Sequence, residues 1–134
     1  MSIIKVTAAD ILRGKTLEKG WYSLTCKSVS DWRPSKDKQS TNINVEFLVE
    51  GTDGKEITYV INSGGIGFHI SLFAAMLGKK ANEIELKDYE IDPSTWVGKK
   101  CDGEIVVDIY NDRPNNKIAQ FLPAGKGASA QAPF

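Results

Sequence analysis

GWYSLTCKSVSDWRPSKDKQSTNINVEFLVEGTDGKEITYVI, residues 20–61, reads as three antiparallel strands in succession. Residues 42–50 alternate without a break. Ile43, Val45, Phe47 and Val49 point one way; Asn42, Asn44, Glu46 and Leu48 point the other. That is the period of two of a strand with one buried face. Gly51-Thr52-Asp53-Gly54 supplies residues that tolerate positive φ, so the chain doubles back into a strand over 55–61. A long first strand is expected over 21–32, with Tyr22, Leu24 and Cys26 on one face. Ser28-Val29-Ser30 interrupts its alternation. A bulge there bends a strand enough to serve two halves of a barrel.

The connection Arg33–Thr41 differs from the tight turn that follows it. It carries Arg33, Lys36 and Lys38 directly after Trp32, with Asp37 as a partial offset. Cations on a flexible loop can track phosphates, and an adjacent aromatic ring can stack on an unpaired base.

Downstream, Asn62–Gly67 is a glycine-rich loop without the spacing of a phosphate cradle. A helix is expected over 68–77, with Leu72, Phe73, Met76 and Leu77 on one face and Gly78 just past its end. His69 falls at the helix start, where a solvated imidazole is expected. Residues 79–94 are polar, acidic and irregular, followed by a capped turn with Pro93 at its first position. Strands are expected over 100–110 and 117–122, joined by an Asn-rich loop, Asn111–Asn116. Upstream, Ser2–Val6 is a short apolar lead suited to a sheet edge. Thr7 is a good N-cap for a short helix over Ala8–Arg13.

The order is three strands, one helix and a final hairpin. That is an all-β chain with one helix, arranged as in a five-stranded Greek-key OB-fold barrel with its helix between the third and fourth strands. Other small β barrels and two-layer α+β sheets fit the same pattern. The 134 residues are expected to form one domain over 1–124, with a disordered Gly/Ala/Ser/Gln tail over 125–134.

Seventeen basic and seventeen acidic residues leave no net charge, which by count alone disfavours a nucleic-acid binder. The charges are unevenly placed. Glu83, Glu85, Asp88, Glu90 and Asp92 are offset only by Lys87, so the rest of the chain carries a positive excess. Cys26 and Cys101 stand in no CxxC motif, and His69 is the only histidine. Both cysteines read as reduced, unpaired core thiols, and neither a metal site nor a cofactor is expected. With no Ser/His/Asp set and no phosphate loop, no enzyme chemistry can be assigned. No leader pattern and no run of eighteen apolar residues is present, so a cytoplasmic protein without a membrane partner is expected.

Several fragments in order carry a family resemblance. They are Leu17-Glu18-Lys19-Gly20-Trp21-Tyr22, Asn44-Val45-Glu46-Phe47 after the polar-basic loop, Met76-Leu77-Gly78 and Val97-Gly98-Lys99-Lys100. Asn116-Lys117-Ile118 and Phe121-Leu122-Pro123-Ala124-Gly125 complete the set. Over roughly residues 17–124 the chain resembles the small phage-encoded OB-fold proteins that bind single-stranded DNA. The resemblance implies sequence-independent binding without catalysis, in phage DNA replication and recombination. It implies as partners single-stranded DNA, replication or recombination proteins, and a second copy of the chain. The Ala132-Pro133-Phe134 end looks like the aromatic tip of such proteins' tails, although residues 124–134 contain no acidic residue.

In an OB-fold the nucleic acid crosses strands two and three, between the loops joining strands one to two and four to five. The nucleic-acid-binding candidates are therefore Trp32, Arg33, Lys36, Lys38, Asn42, Asn44, Tyr59, Tyr110, Arg113 and Lys117. Gln39, Asn115 and Asn116 are further amides able to bond sugars or base edges. Trp32 is either a stacking surface or a hydrophobic lid, Tyr110 is open between the two roles, and Tyr59 shares a face with core residues. The rival function is an OB-like protein-interaction module without nucleic-acid binding, which the acidic 83–92 segment favours.

Overall fold

In the computed structural model, which describes residues 2–8, 11, 16–34, 40–52, 54–110 and 112–127, the alternating stretch is the centre of one antiparallel sheet. Strand β1 is Gly20–Val29, β2 is Arg33–Pro34, β3 is Thr41–Val49 and β4 is Glu56–Asn62. A helix, α1, spans Ile70–Met76, and β5, Lys100–Tyr110, and β6, Arg113–Pro123, close the chain as a hairpin. β3 pairs with β1 and β2 on one side and with β4 on the other; β1 pairs onward with β5, and β5 with β6.

The inward set of β3 is buried as its alternation requires: Ile43, Val45, Phe47 and Val49 face Leu24 and Cys26 of β1 and Ile57 and Ile61 of β4. The sheet curls. Phe121 of β6 packs its ring against Phe47 at 5.3 Å between centroids and edge-on against Tyr59 of β4 at 5.0 Å. The two outer strands thus meet through side chains, and no ladder joins β4 to β6 among the described residues.

Among the described residues the sheet has six strands where five are expected, because the first does not run to residue 32. The register slips between Cys26 and Ser28, making Lys27 the extra residue of a bulge at the interrupted alternation. Ser30 then donates its amide to Asn44 O, but its hydroxyl rather than a carbonyl accepts the Asn44 N–H, both at 2.9 Å. This side-chain competition lifts Asp31 and Trp32 off the ladder. The chain re-pairs only at Arg33 and Pro34, opposite Asn42 and Thr41.

The last strand begins earlier than expected. Tyr110 pairs with Arg113, so the expected loop Asn111–Asn116 is a two-residue turn followed by strand. Asp112 takes φ 60°, which Asp tolerates. Pro114 is accommodated opposite Ile109 because β6 is an edge strand. The β1–β5 ladder ends at Gly20 and Ile105, and the hairpin runs on past it. Ile105 is buried, but Val107 and Ile109, in phase with it, are exposed.

The helix starts two residues later than expected, because Ser63–His69 winds as 3₁₀ turns capped by Asn62, whose Oδ1 accepts the Gly64 N–H at 2.8 Å. Leu72, Phe73 and Met76 are buried, but Leu77 is exposed, outside the apolar face expected of it. Gly78 ends the helix with φ 76°, donating to Ala75 O while Lys79 N reaches Ala74 O. Ser2–Val6 joins no sheet; Ile3, Ile4 and Val6 are exposed. Of the expected N-terminal helix, the described part shows Ile11 N donating to Thr7 O, and the remainder lies outside the described residues.

The described chain continues past the expected domain end at 124. Gly127 is buried, donates its N–H to Asp102 Oδ2 at 2.8 Å, and would drive an added Cβ to 2.6 Å from the Trp21 ring. The tip 132–134 lies outside the described residues. Cys26 and Cys101 are both free and buried. Burial, with Asp102 and Cys26 nearby, pushes the Cys101 thiol up to about 12, which makes it unreactive. Among the described residues no helix is long and apolar enough to cross a membrane.

Candidate nucleic-acid interface

The outer face of β3 and β4 is built from cross-strand pairs: Asn42 with Asn62, Asn44 with Val60, Glu46 with Thr58, Leu48 with Glu56. It divides by charge. At the Leu48 end two carboxylates are ion-paired, while among the described residues Glu46 beside them accepts only the Ser28 hydroxyl at 3.4 Å. Glu56 pairs with Lys27, and Glu50 pairs with Lys100 at 3.1 Å and accepts from Thr25 Oγ1 at 3.2 Å. Those bonds hold the Glu50 carboxyl below its usual range.

Among the described residues the Asn42 end is uncharged apart from Arg33. Asn62 Nδ2 donates to Asn42 Oδ1 at 2.7 Å and to Ser40 Oγ at 2.8 Å, and Thr41 N donates to Ser63 Oγ. Asn44 is exposed beside the exposed Val60. Arg33, opposite Asn42 in the ladder, shares this outer face, is exposed, and joins no ion pair among the described residues.

Trp32 faces the other way. It bounds a cavity of about 170 Å³ together with Val29 and the buried Ile43, and is 48% exposed. It is thus part lid over the sheet's inner side and part open aromatic surface.

The remaining candidates separate from this group. Tyr59 lies on the inner face opposite Val45, half-buried, its hydroxyl 2.6 Å from His69 Nδ1. Its ring therefore does not share the Asn42–Asn44 surface, and a stacking role there does not fit its placement. Lys117 is exposed and sits 3.5 Å from Asp108 on the projecting hairpin. Tyr110 and Arg113 pair at that hairpin's end; their side chains lie outside the described residues. The hairpin extends past the start of β1, whereas Trp32 and Arg33 follow its end, so the two groups flank β1 from opposite ends. Lys36, Lys38 and Gln39 lie outside the described residues. Asn116, an expected base contact, instead fixes the chain. Its Oδ1 accepts from Leu17 N at 2.6 Å and its Nδ2 donates to Leu17 O at 3.0 Å.

Three positions were not legible as surface features. Phe68, read as the first residue of the helix, is 89% exposed on the 3₁₀ turn beside the Asn62 network, its ring over Gly65. Only the glycine density of residues 64–67 hints that the helix starts late. Pro93 and Ser94 also bound the Trp32 cavity, a contact no local pattern announces.

His69 is not the solvated imidazole expected. Packed edge-on to Tyr59, it is partly buried, and burial lowers its pKa below the usual histidine value. The unfolded chain then binds the proton more readily, so folding stability present above about pH 6.5 is lost as pH falls from there toward the lower folded value. His69→Gln is expected to flatten the urea-midpoint profile between about pH 7.5 and 5.5 relative to the parent. Unchanged slopes in the two proteins would contradict this.

Comparison with protein-family models and with curated proteins finds no match to this chain.

Proposed function

We propose that the chain is an OB-fold protein that binds single-stranded DNA with little sequence preference, as phage replication and recombination require, and catalyses nothing. The observation that carries the proposal is the charge division of the β3–β4 face. Among the described residues, Glu50 and Glu56 are ion-paired at one end and Glu46, in the middle, accepts only a 3.4 Å bond from Ser28 Oγ, while the other end presents neutral amides, Arg33, which joins no ion pair, and the half-open Trp32. Ordered cations and aromatics beside neutral hydrogen-bonding groups are what a flexible polyanion with exposed bases needs. The curled sheet, with its helix before the last hairpin, supports the OB-fold assignment. Lys36 and Lys38 add charge to the loop that starts at Arg33.

One observation favours the rival protein-interaction module. Leu86 and Tyr89 are exposed within the acidic 83–92 segment, a composition suited to a basic protein partner.

Retention on single-stranded DNA cellulose separates the two, since salt-dependent elution supports DNA binding and flow-through at low salt supports the module. The triple variant Arg33→Ala, Lys36→Ala, Lys38→Ala extends the test. Each phosphate contact contributes roughly −0.7 to the slope of log K against log salt on single strands. The slope is expected to flatten by about two units. A variant that binds like the parent at every salt concentration would place the DNA path elsewhere.

A further inference from the structure

We infer that the cavity beside Trp32 is a slot for a single pyrimidine bearing an exocyclic amino group, that is, cytosine within the bound strand. The inference rests on the single-strand reading above and adds a base preference at one position.

Size comes first. An apolar cavity of about 150 Å³ accepts benzene. The Trp32 cavity, about 170 Å³, therefore suits one six-membered ring with its substituents, and a purine would protrude. The walls are right for a ring. Ile43, Val29 and Pro93 are apolar, and Trp32 offers a half-exposed aromatic surface.

The polar edge selects the base. Asp31 and Asp92 both border the cavity. Asp92 Oδ1 accepts the Ser94 hydroxyl at 2.7 Å and the Ser94 amide at 3.0 Å. These bonds keep its carboxyl below the usual range, so it is ionised at neutral pH. Its Oδ2 takes part in no hydrogen bond among the described residues. Ionised carboxylates only accept hydrogen bonds. Cytosine presents the N4 amino donor at the edge where thymine presents O4, an acceptor that a carboxylate repels. Two carboxylates likewise keep phosphate out. The phosphate has a place on the opposite side, because Arg33 shares the outer face with Asn42 while its neighbour Trp32 turns in over Ile43.

The test is equilibrium competition against a labelled oligo-dT by unlabelled oligo-dT, by the same oligomer with one central dC, and by one with a central dA. The dC oligomer is expected to compete about tenfold better than oligo-dT, and the dA oligomer no better. Asp31→Asn with Asp92→Asn should reduce the dC advantage below about twofold while leaving oligo-dT affinity equal or higher. Asparagine can still cap the turn at position 92, so the fold is kept. Equal competition by all three oligomers, or a dC advantage that survives in the double variant, would overturn the slot. A parent protein that binds none of them overturns the single-strand reading itself, and the slot with it.

Discussion

Phe121→Ala is expected to destabilise the protein by about 3–5 kcal/mol, the largest single-residue effect on the fold. The ring is 2% exposed and touches Phe47 of the central strand and Tyr59 of the outer strand. It is where β6 meets β4 without a ladder between them, so nothing in the backbone replaces it. Its own N–H is held by Ser71 Oγ at 3.2 Å, which ties β6 to α1 and limits collapse into the space the ring leaves. Incomplete collapse is what raises the cost above simple transfer. Against a total stability of about 5–15 kcal/mol the loss is a large fraction. A melting temperature lower by roughly 10–20 °C is expected, followed by circular dichroism. A urea-derived loss under about 1 kcal/mol would mean that the curl of the sheet does not depend on this contact.

Trp32→Ala is expected to weaken single-stranded DNA binding by about 1–3 kcal/mol with the salt slope nearly unchanged. The side chain is 48% exposed and has left the ladder, so little folding energy depends on it. It carries no charge and releases no counterion. Stacking and phosphate contact are thus separable: this variant loses affinity at every salt concentration, and the loop triple variant loses slope. In the parent, oligo-dT should quench tryptophan fluorescence, and the variant should lose most of that response. Affinity and quenching equal to the parent's would remove Trp32 from the interface.

The central strand was fully legible because its alternation is unbroken and one face must be buried. The bulge was legible from Ser28-Val29-Ser30, although the residue looped out is Lys27. The start of β6 was hidden because Pro114, Asn115 and Asn116 carry turn chemistry; pairing with the long β5 overrides local preference at a sheet edge. The placement of Arg33 opposite Asn42 follows from the β2–β3 register and was not legible, because Arg33 reads as the first residue of a flexible loop. The cavity was not legible either, because Pro93 and Asp92 reach Trp32 from a segment distant in sequence. Nor was the role of Asn116, whose amide is spent on Leu17 rather than left for a ligand.

The most direct measurement is a titration of the purified protein with labelled oligo-dT and with duplex DNA of equal length, each over a series of salt concentrations. Single-strand binding by the β3–β4 face requires tighter association with oligo-dT than with duplex, and a log K that falls linearly with log salt. No binding to oligo-dT at low salt, or equal affinity for the duplex, would contradict it.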